Sequence, residues 1–219
     1  MTSPTNSLKE ILDEKKAAFN AVADEKIKSI YAEGIEDVAN GGVLENAKNV
    51  GDTAPPFELT NAVGTSVSLQ AYLEKGPVVL TWYRGGWCPY CNLTLQRLQN
   101  DLPDFQAEGA NLLALTPEKP DKSISTQEKY DLKFEVLSDV GNAIAKAYGI
   151  VFKLTDAVAA SYKNNFDLEE FNGDDTKELP LAATYVIDRN GIIQFAFLDA
   201  EYRNRAEPAE IIKVLQKLK

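Results

Sequence analysis

The sequence predicts an α/β fold in which helices flank a mixed sheet and a helical extension precedes it. From residue 57 onward, short apolar runs alternate with amphipathic stretches, which is typical of alternating strands and helices. Residues 77–83 form a largely apolar run, as expected for a strand buried on both faces. The chain has 219 residues, of which 44% are hydrophobic, so it can bury a sizeable core.

Residues 1–48 are predicted to form a helical arm, followed by a domain at residues 49–219. Ser7 and Glu10 match an S-x-x-E capping box at a helix start, and apolar residues then recur at steps of mostly three and four positions. Consecutive prolines within residues 51–57 exclude helix and central strand, which separates the arm from the domain. The pattern leaves open whether the arm packs on its own domain or forms a homodimer contact.

Within the domain, each element is predicted from the local period of apolar residues and from turn signals. Asn190 and Gly191 form a tight-turn signal between the last two strands. The predicted order is a hairpin at residues 57–60 and 66–69, a strand at 77–83, a helix after the cysteines, a strand at 112–116, a helix at 125–132, a strand at 134–137, a helix at 142–148, a mostly helical acidic insertion at 156–175, a hairpin at 184–187 and 192–197, and a closing helix at 207–218.

The charge balance and the missing residue types exclude several function classes. Lys and Arg number 23 against 33 Asp and Glu, and the net charge of −10 disfavours nucleic acid and anionic membrane surfaces as partners. No apolar stretch reaches the length of a signal-peptide core or a transmembrane helix, so a cytoplasmic location is expected. The chain has no histidine, which excludes Cys-His pairs and zinc sites with imidazole ligands.

The chain contains two cysteines, Cys88 and Cys91. Two cysteines cannot complete a four-cysteine metal site within one chain, and a metal or iron–sulfur cluster shared between two chains is the remaining alternative. No metal and no cofactor are therefore expected in a single chain. Because thiols are kept reduced in the cytoplasm, a C-x-x-C pair there is more often catalytic or metal-binding than a structural disulfide.

The two cysteines are predicted to form a redox-active pair that cycles through a disulfide bond. They lie where the strand at residues 77–83 gives way to a helix, and the positive end of that helix favours a thiolate. Arg84, at the end of the strand, is a candidate catalytic cation. Cys91 shares an apolar stripe with Leu95 and is expected to face the core. Cys88, at the solvent-facing helix start, is therefore predicted to be the nucleophile and Cys91 the resolving thiol.

Three residues between Arg84 and Cys88 are candidates for substrate binding. Gly85 and Gly86 let the backbone turn tightly and bring amide N–H groups close to a sulfur or a bound oxygen. Trp87 precedes the first cysteine directly. Two interpretations of this tryptophan stay open, because an aromatic residue at this place either shapes a cleft around the thiols or packs in the core.

Residues 87–91, Trp-Cys-Pro-Tyr-Cys, resemble the thioredoxin and glutaredoxin active site, whereas the rest of the domain is similar to peroxiredoxins of the alkyl hydroperoxide reductase and thiol-specific antioxidant (AhpC/TSA) family. The chain resembles most closely a bacterial peroxiredoxin-like group that bears the sequence of residues 84–91. The passages that carry the likeness to peroxiredoxins are residues 50–59, 136–139, 147–149 and 184–191.

The resemblance implies a thioredoxin-like fold of the peroxiredoxin type and thiol-based antioxidant or disulfide chemistry. It also implies a hydroperoxide or small disulfide as the substrate. The reductant that it implies is of the thioredoxin, glutaredoxin or glutathione type, and a homodimer is compatible with it.

The redox motif departs from the peroxiredoxin pattern P-x-x-x-T-x-x-C. With Tyr83 aligned to the aromatic residue before that pattern, Arg84 takes the proline position, Cys88 the threonine position and Cys91 the peroxidatic position. In this register Cys91, not Cys88, is the nucleophile. The arginine that peroxiredoxins supply from a later strand has no counterpart, since Ala182 falls at its position, and Arg84 is the one nearby guanidinium expected.

A second departure concerns the cis-proline that faces the C-x-x-C motif in disulfide-exchanging thioredoxins. Ala182 falls at its position, and Pro180, two residues earlier, is either a register-shifted counterpart or an ordinary strand-entry residue.

Three functions therefore stay open. They are hydroperoxide reduction through a Cys88/Cys91 dithiol-disulfide cycle, protein disulfide exchange without significant peroxidase activity, and a redox-sensing binding module that turns nothing over.

Overall fold

The computed structural model describes residues 6–61 and 63–218. Its strands in chain order are β1 Glu58–Thr60, β2 Ser66–Ser68, β3 Val78–Trp82, β4 Asn111–Thr116, β5 Glu135–Ser138, β6 Val151–Lys153, β7 Glu178–Pro180, β8 Thr184–Ile187 and β9 Ile193–Phe197. Its helices are α1 Leu8–Val22, α2 Glu25–Asn40, α3 Val43–Asn46, α4 Leu69–Leu73, α5 Pro89–Ala107, α6 Pro120–Lys129, α7 Ala143–Ala147, α8 Asp156–Lys163, α9 Leu168–Asn172 and α10 Pro208–Gln216. Every strand and helix predicted for the domain has a counterpart.

A five-stranded sheet organises the domain, with the strands in the order β5-β4-β3-β8-β9. β3, β4 and β5 run parallel, whereas β8 pairs antiparallel with β3, and β9 pairs antiparallel with β8. The predicted mixed sheet is confirmed. Because β3 lies at the centre, the chain segment that follows it leaves the sheet at the middle of the carboxyl edge of the parallel strands, where ligand sites of such folds form.

The side chains of β3 alternate between two cores, and all of its residues are buried. Val78 and Leu80 pack on the face covered by α4 and α7. Val79 and the following Tyr83 pack on the opposite face, which is covered by α1, α5 and α10. Burial on both faces explains the uninterrupted apolar character of this strand, and the predicted helices on both sides of the sheet are confirmed.

Helix α5 begins directly after Cys88, which caps it, and Pro89 lies in its first turn. Cys91, Leu95 and Leu98 are all buried, so the predicted apolar stripe of this helix is confirmed. The strand β3 and the helix α5 thus place both cysteines between the sheet and the covering helices.

The N-terminal arm consists of α1, α2 and the short α3. Ser7 and Glu10 form the predicted capping box of α1. Leu8 and Leu12 are buried in the core that α1 shares with α5. The carboxylate of Glu207 accepts hydrogen bonds from the backbone N–H groups of Leu8, at 3.3 Å, and Lys9, at 2.5 Å. The arm therefore packs on the domain of its own chain.

Two short strands and an early helix start differ from the prediction. β6 and β7 pair antiparallel and bring together the two ends of the insertion that contains α8 and α9. Helix α6 begins at Pro120, five residues earlier than predicted, because this proline suits the first helical turn. Pro180 is the last residue of β7, where it pairs with Val151, so it does not begin a strand. The described residues contain no cis peptide bond, so Pro180 is not a cis-proline either.

Among the helices that the structure describes, none combines the length and the apolar character needed to cross a membrane.

Candidate active site

The redox turn, defined here as residues 84–91, joins β3 to α5 and holds the two sulfurs side by side. The Sγ atoms of Cys88 and Cys91 lie 2.7 Å apart, and both residues are free thiols. The backbone N–H of Cys91 donates to Cys88 Sγ at 3.4 Å. One turn of helix thus brings the thiols close enough for one to donate to the other and for a disulfide to form after a small rearrangement.

Both sulfurs are buried, and the expectation that Cys88 faces solvent is wrong. Cys88 is 1% exposed and Cys91 0% exposed. Helix α1 packs along α5, and its Leu8 and Leu12 belong to the same buried apolar cluster as both cysteines. Exposure to solvent therefore does not identify Cys88 as the attacking sulfur.

Arg205 is a functional candidate that sequence reasoning missed. Its Nη2 donates to Cys91 Sγ at 3.2 Å, and its side chain is 8% exposed. Its Nη1 donates to the backbone carbonyls of Tyr202 and, at 2.6 Å, Asn204, which fixes the guanidinium. The expectation that Arg84 is the one nearby guanidinium is thus wrong. Because 114 residues separate Arg205 from Cys91, their spacing carries no signal.

Arg84 is also buried, at 2% exposure, and an aromatic cage surrounds it. Its Nη2 donates to the hydroxyl of Tyr162, and its guanidinium carbon lies 4.4 Å from the ring centroid of Tyr202 and 5.1 Å from that of Trp87. Among the described residues it has no ion pair with a carboxylate, and its Nε has no hydrogen-bond partner. Its positive charge is therefore free to act on nearby sulfurs.

The two thiols differ in their acidity. Burial raises the pKa of Cys88 well above its ordinary value, and the hydrogen bond and negative charge of Cys91 raise it further. Burial also acts to raise the pKa of Cys91, but the hydrogen bond between the two sulfurs and the guanidinium groups of Arg205 and Arg84 outweigh it, so that pKa is lowered. These opposite shifts favour a thiolate on Cys91 over one on Cys88.

The glycines of the redox turn allow close packing. Gly85 has a φ of 151°, and a Cβ there would lie 2.2 Å from Trp87 Nε1. A Cβ on Gly86 would lie 2.3 Å from the hydroxyl oxygen of Thr126. The Gly86 N–H donates to Glu118 Oε1 at 2.9 Å, so this amide already has a protein partner and is not free to bind a sulfur or oxygen ligand.

Glu118 is the second residue that sequence reasoning missed. It follows β4, is 0% exposed, and burial raises its pKa to about 7, although the hydrogen bond from Gly86 acts in the opposite direction. The available sequence signal is weak, since Glu118 stands in a loop between a strand and a proline-started helix, where an exposed acid is ordinary.

A cleft of about 600 Å³ opens beside the redox turn. Its walls include Phe19 from α1, Trp87 and Cys88 from the redox turn, and Tyr162 and Phe166 from the insertion. Trp87 stacks on Phe166 with ring centroids 4.5 Å apart, so this half-buried tryptophan is part of the cleft wall. The cleft reaches Cys88 and not Cys91.

A central mixed sheet and a buried dithiol at the strand-to-helix junction define a thiol-active protein with a thioredoxin-like architecture. The sequence model of the AhpC/TSA family matches residues 50–196. The chain belongs to this family, as the resemblance in its sequence predicts.

The relatives include both peroxidases and disulfide oxidoreductases. Chloroplastic peroxiredoxin Q of Sedum lineare is 29% identical over 173 residues, covering 77% of this chain and 78% of that protein. The thiol-disulfide oxidoreductase ResA of Bacillus cereus is 30% identical over 135 residues, covering 61% of this chain and 76% of that protein. The chain is thus an enzyme of the thiol peroxidase or thiol-disulfide oxidoreductase class.

Solved structures show the same fold. Peroxidoxin BcpB from Mycobacterium tuberculosis matches with a TM-score of 0.62 and 20% identity over 78% of this chain and 98% of that one. A PrxQ mutant from Xylella fastidiosa matches with a TM-score of 0.61 and 18% identity over 77% of this chain and 96% of that one. The predicted thioredoxin-like fold of the peroxiredoxin type is confirmed.

Proposed function

We propose that the protein is a thiol peroxidase that reduces hydroperoxides through a dithiol-disulfide cycle of Cys88 and Cys91. Two contacts of one sulfur carry this proposal. The guanidinium of Arg205 donates to Cys91 Sγ at 3.2 Å, and Cys88 Sγ lies 2.7 Å from the same sulfur. A cation beside one thiol supplies a nucleophilic thiolate, and the neighbouring thiol supplies the group that closes a disulfide. The peroxiredoxin Q relatives support the same reaction.

In the proposed cycle, the Cys91 thiolate attacks the terminal oxygen of the hydroperoxide. The O–O bond breaks, an S–O bond forms, and the alcohol or water leaves after taking up a proton. The Cys88 sulfur then attacks the sulfenic acid of Cys91, water leaves, and the disulfide forms. The two sulfurs together lose the two electrons that reduce the peroxide. This order is the one implied by the peroxiredoxin register and by the acidity of the two thiols.

The reduction half of the cycle uses the other sulfur. Because the cleft reaches Cys88, a reductant thiolate attacks the disulfide at Cys88 Sγ. Cys91 then leaves as the thiolate that Arg205 stabilises, since a sulfur of lower pKa leaves faster. A second reductant thiol attacks the reductant sulfur of the mixed disulfide, so that Cys88 leaves, takes up a proton and becomes a thiol again. The reductant is a thioredoxin, a glutaredoxin or glutathione, and the reaction runs in a reducing compartment such as the cytoplasm.

The remaining site residues have supporting roles in this proposal. Arg84 stabilises the negative charge that develops on the sulfurs and on the departing oxygen. Trp87 forms a wall of the cleft through which the reductant reaches Cys88, and Gly85 and Gly86 keep the redox turn compact beside it. The proposal includes a homodimer as the assembled form of the enzyme.

A second candidate is a thiol-disulfide oxidoreductase without significant peroxidase activity. The observation in its favour is the open cleft at Cys88, which would admit a disulfide substrate, together with the ResA relatives. The non-catalytic redox-sensing module is not proposed, because the relatives are peroxiredoxins and thiol-disulfide oxidoreductases.

One experiment separates the two candidates. The reduced protein is mixed rapidly with hydrogen peroxide or cumene hydroperoxide, and free thiols and tryptophan fluorescence are followed. A peroxidase loses both thiols much faster than free cysteine does and forms one intramolecular disulfide. Thiol loss at the rate of free cysteine, combined with efficient reduction of insulin by the dithiol form, would leave the oxidoreductase as the function.

A further inference from the structure

Glu118 is a buried carboxyl group that the cycle described above does not use. Its Oε1 accepts a hydrogen bond from the Gly86 N–H at 2.9 Å, which ties it to the redox turn. Its Oε2 is buried and, although Thr116 lies close by, has no hydrogen-bond partner among the described residues. A carboxylate in such a place is costly, because a buried charge needs a partner or a proton.

Three ionisable groups interact with Glu118 through their charges. Tyr83 follows β3, Cys91 lies on α5 and Lys122 lies on α6. The ammonium of Lys122 is paired with Glu170 at 2.6 Å, so its charge is shared with another carboxylate. Burial raises the pKa of Glu118 and the Cys91 thiolate raises it further, whereas the Gly86 N–H, Lys122 and the nearby Thr116 hydroxyl lower it, with a result of about 7.

We propose that Glu118 is a positioning residue that stores a proton of the catalytic cycle, holding it while Cys91 is a thiolate and releasing it when the disulfide forms. The proposal rests on the dithiol-disulfide cycle of Cys88 and Cys91. Two negative charges in one buried site oppose each other, so the thiolate and the carboxylate do not coexist at neutral pH without cost. The chain has no histidine to take this role.

The proton balance of the cycle explains what the stored proton does. A hydroperoxide, the Cys91 thiolate, the Cys88 thiol and protonated Glu118 become an alcohol, a water molecule, the disulfide and the Glu118 carboxylate. One negative charge stands on each side, and no proton is taken from solvent. Without an acid at position 118, the same reaction consumes one proton from solvent for each disulfide. Once ionised, Glu118 also accepts a stronger hydrogen bond from Gly86, which holds the turn in its disulfide form.

Proton uptake during disulfide formation tests this proposal. The reduced protein is oxidised with one equivalent of hydrogen peroxide in weakly buffered solution, and a pH indicator counts the protons consumed for each disulfide. The Glu118→Gln variant, which keeps an oxygen to accept from Gly86, is expected to consume one proton at every pH between 6 and 8. The wild type is expected to consume less than one proton near pH 7, because the pKa of Glu118 falls when the Cys91 thiolate is lost and the carboxyl supplies the difference.

Two further variants and a second oxidant make the result decisive. Glu128→Gln removes an exposed carboxylate from α6 and is expected to behave as the wild type. Glu118→Asp keeps a carboxyl and is expected to restore a pH-dependent count. A diazene oxidant, which forms the disulfide with the same proton balance, replaces peroxide if peroxide reacts slowly. Equal counts in the wild type and in Glu118→Gln would overturn the role of Glu118 alone, whereas failure of both oxidants to form the disulfide would overturn the cycle as well.

Discussion

The guanidinium of Arg205 donates to the sulfur of Cys91 at 3.2 Å in a place where both side chains are shielded from water. Neither Arg205 nor Arg84 has an ion pair with a carboxylate among the described residues, so two buried cations stand beside two thiols. A site with this charge balance favours one thiolate, because the thiolate is the counter-ion that the cations otherwise lack.

Replacing Arg205 is expected to raise the pKa of Cys91. A charge-assisted hydrogen bond contributes about 1.5–3 kcal/mol, so Arg205→Met is expected to shift that pKa upward by about one to two units. At pH values below the ordinary range for thiols, the variant therefore reacts more slowly with iodoacetamide and with peroxide. The pH dependence of alkylation of the reduced protein measures the shift. Arg189→Met, which alters an exposed arginine away from the sulfurs, is the control and leaves the profile unchanged.

Variants that lack one cysteine are expected to separate the reaction with peroxide from the formation of the disulfide. Cys88→Ser retains the Cys91 thiolate, reacts with one equivalent of peroxide and accumulates a sulfenic acid that dimedone traps. Cys91→Ser loses the fast reaction, because the remaining thiol has a raised pKa. Mass spectrometry of the trapped adducts gives the result. A fast reaction in Cys91→Ser together with an inert Cys88→Ser would restore the opposite order of attack.

Gly86→Ala is expected to destabilise the fold through one contact. The added Cβ would lie 2.3 Å from Thr126 Oγ1 and 3.6 Å from Thr126 Cβ. Overpacking of this kind costs about 1–3 kcal/mol of unfolding free energy. Adding Thr126→Ala removes the oxygen and is expected to recover most of the loss, with Thr126→Ala alone as the reference. Urea unfolding of the four proteins forms a double-mutant cycle, and additive losses would contradict the assigned contact.

The fluorescence change on oxidation is expected to come from Trp87. Trp87 lines the cleft beside Cys88, whereas Trp82 is buried in the core against Tyr148 at 4.8 Å between ring centroids. Conversion of the thiols to a disulfide therefore alters the surroundings of Trp87 first. Trp87→Phe should abolish most of the signal and Trp82→Phe should preserve it. Retention of the full change in Trp87→Phe would place the reporter in the core.

Glu118 is expected to make the stability of the reduced protein depend on pH. Its pKa is raised to about 7 in the folded state from an ordinary value of 4.5, so the folded state binds more protons between these values. Stability therefore falls as pH rises from about 4.5 through 7, by at most about 3 kcal/mol. Glu118→Gln lacks this loss, and its urea unfolding free energy should approach or exceed that of the wild type at pH 8. Parallel curves for the two proteins from pH 5 to pH 8 would contradict the raised pKa.

Local patterns in the sequence predict most of the domain. The apolar run of β3 and the stripe of Cys91, Leu95 and Leu98 identify a central strand and the face of a helix, because burial imposes a period on neighbouring residues. The residues of β6 and β7 carry no such signal, since each strand is short and is defined by its partner across the insertion.

The parts of the site that the sequence does not predict depend on contacts between distant residues. Cys88 is buried in a cluster that includes residues of the arm, and Arg205 and Glu118 reach the redox turn from loops elsewhere in the chain. Sequence spacing predicts which residues share one helix or strand, but it does not predict which loop side chains meet at its end.

The carboxylate of Glu207 holds the first turn of α1 through the backbone N–H groups of Leu8 and Lys9, and it stands two residues after Arg205. The short span from Arg205 to Glu207 thus anchors the first helix with one end and polarises the Cys91 sulfur with the other. Detachment of α1 would free Glu207 and remove one of the contacts that hold this span, and with it Arg205, in place. The acidity of the Cys91 thiol is therefore coupled to the attachment of α1 at the start of the chain. A variant that lacks α1 should have a less reactive Cys91 thiol.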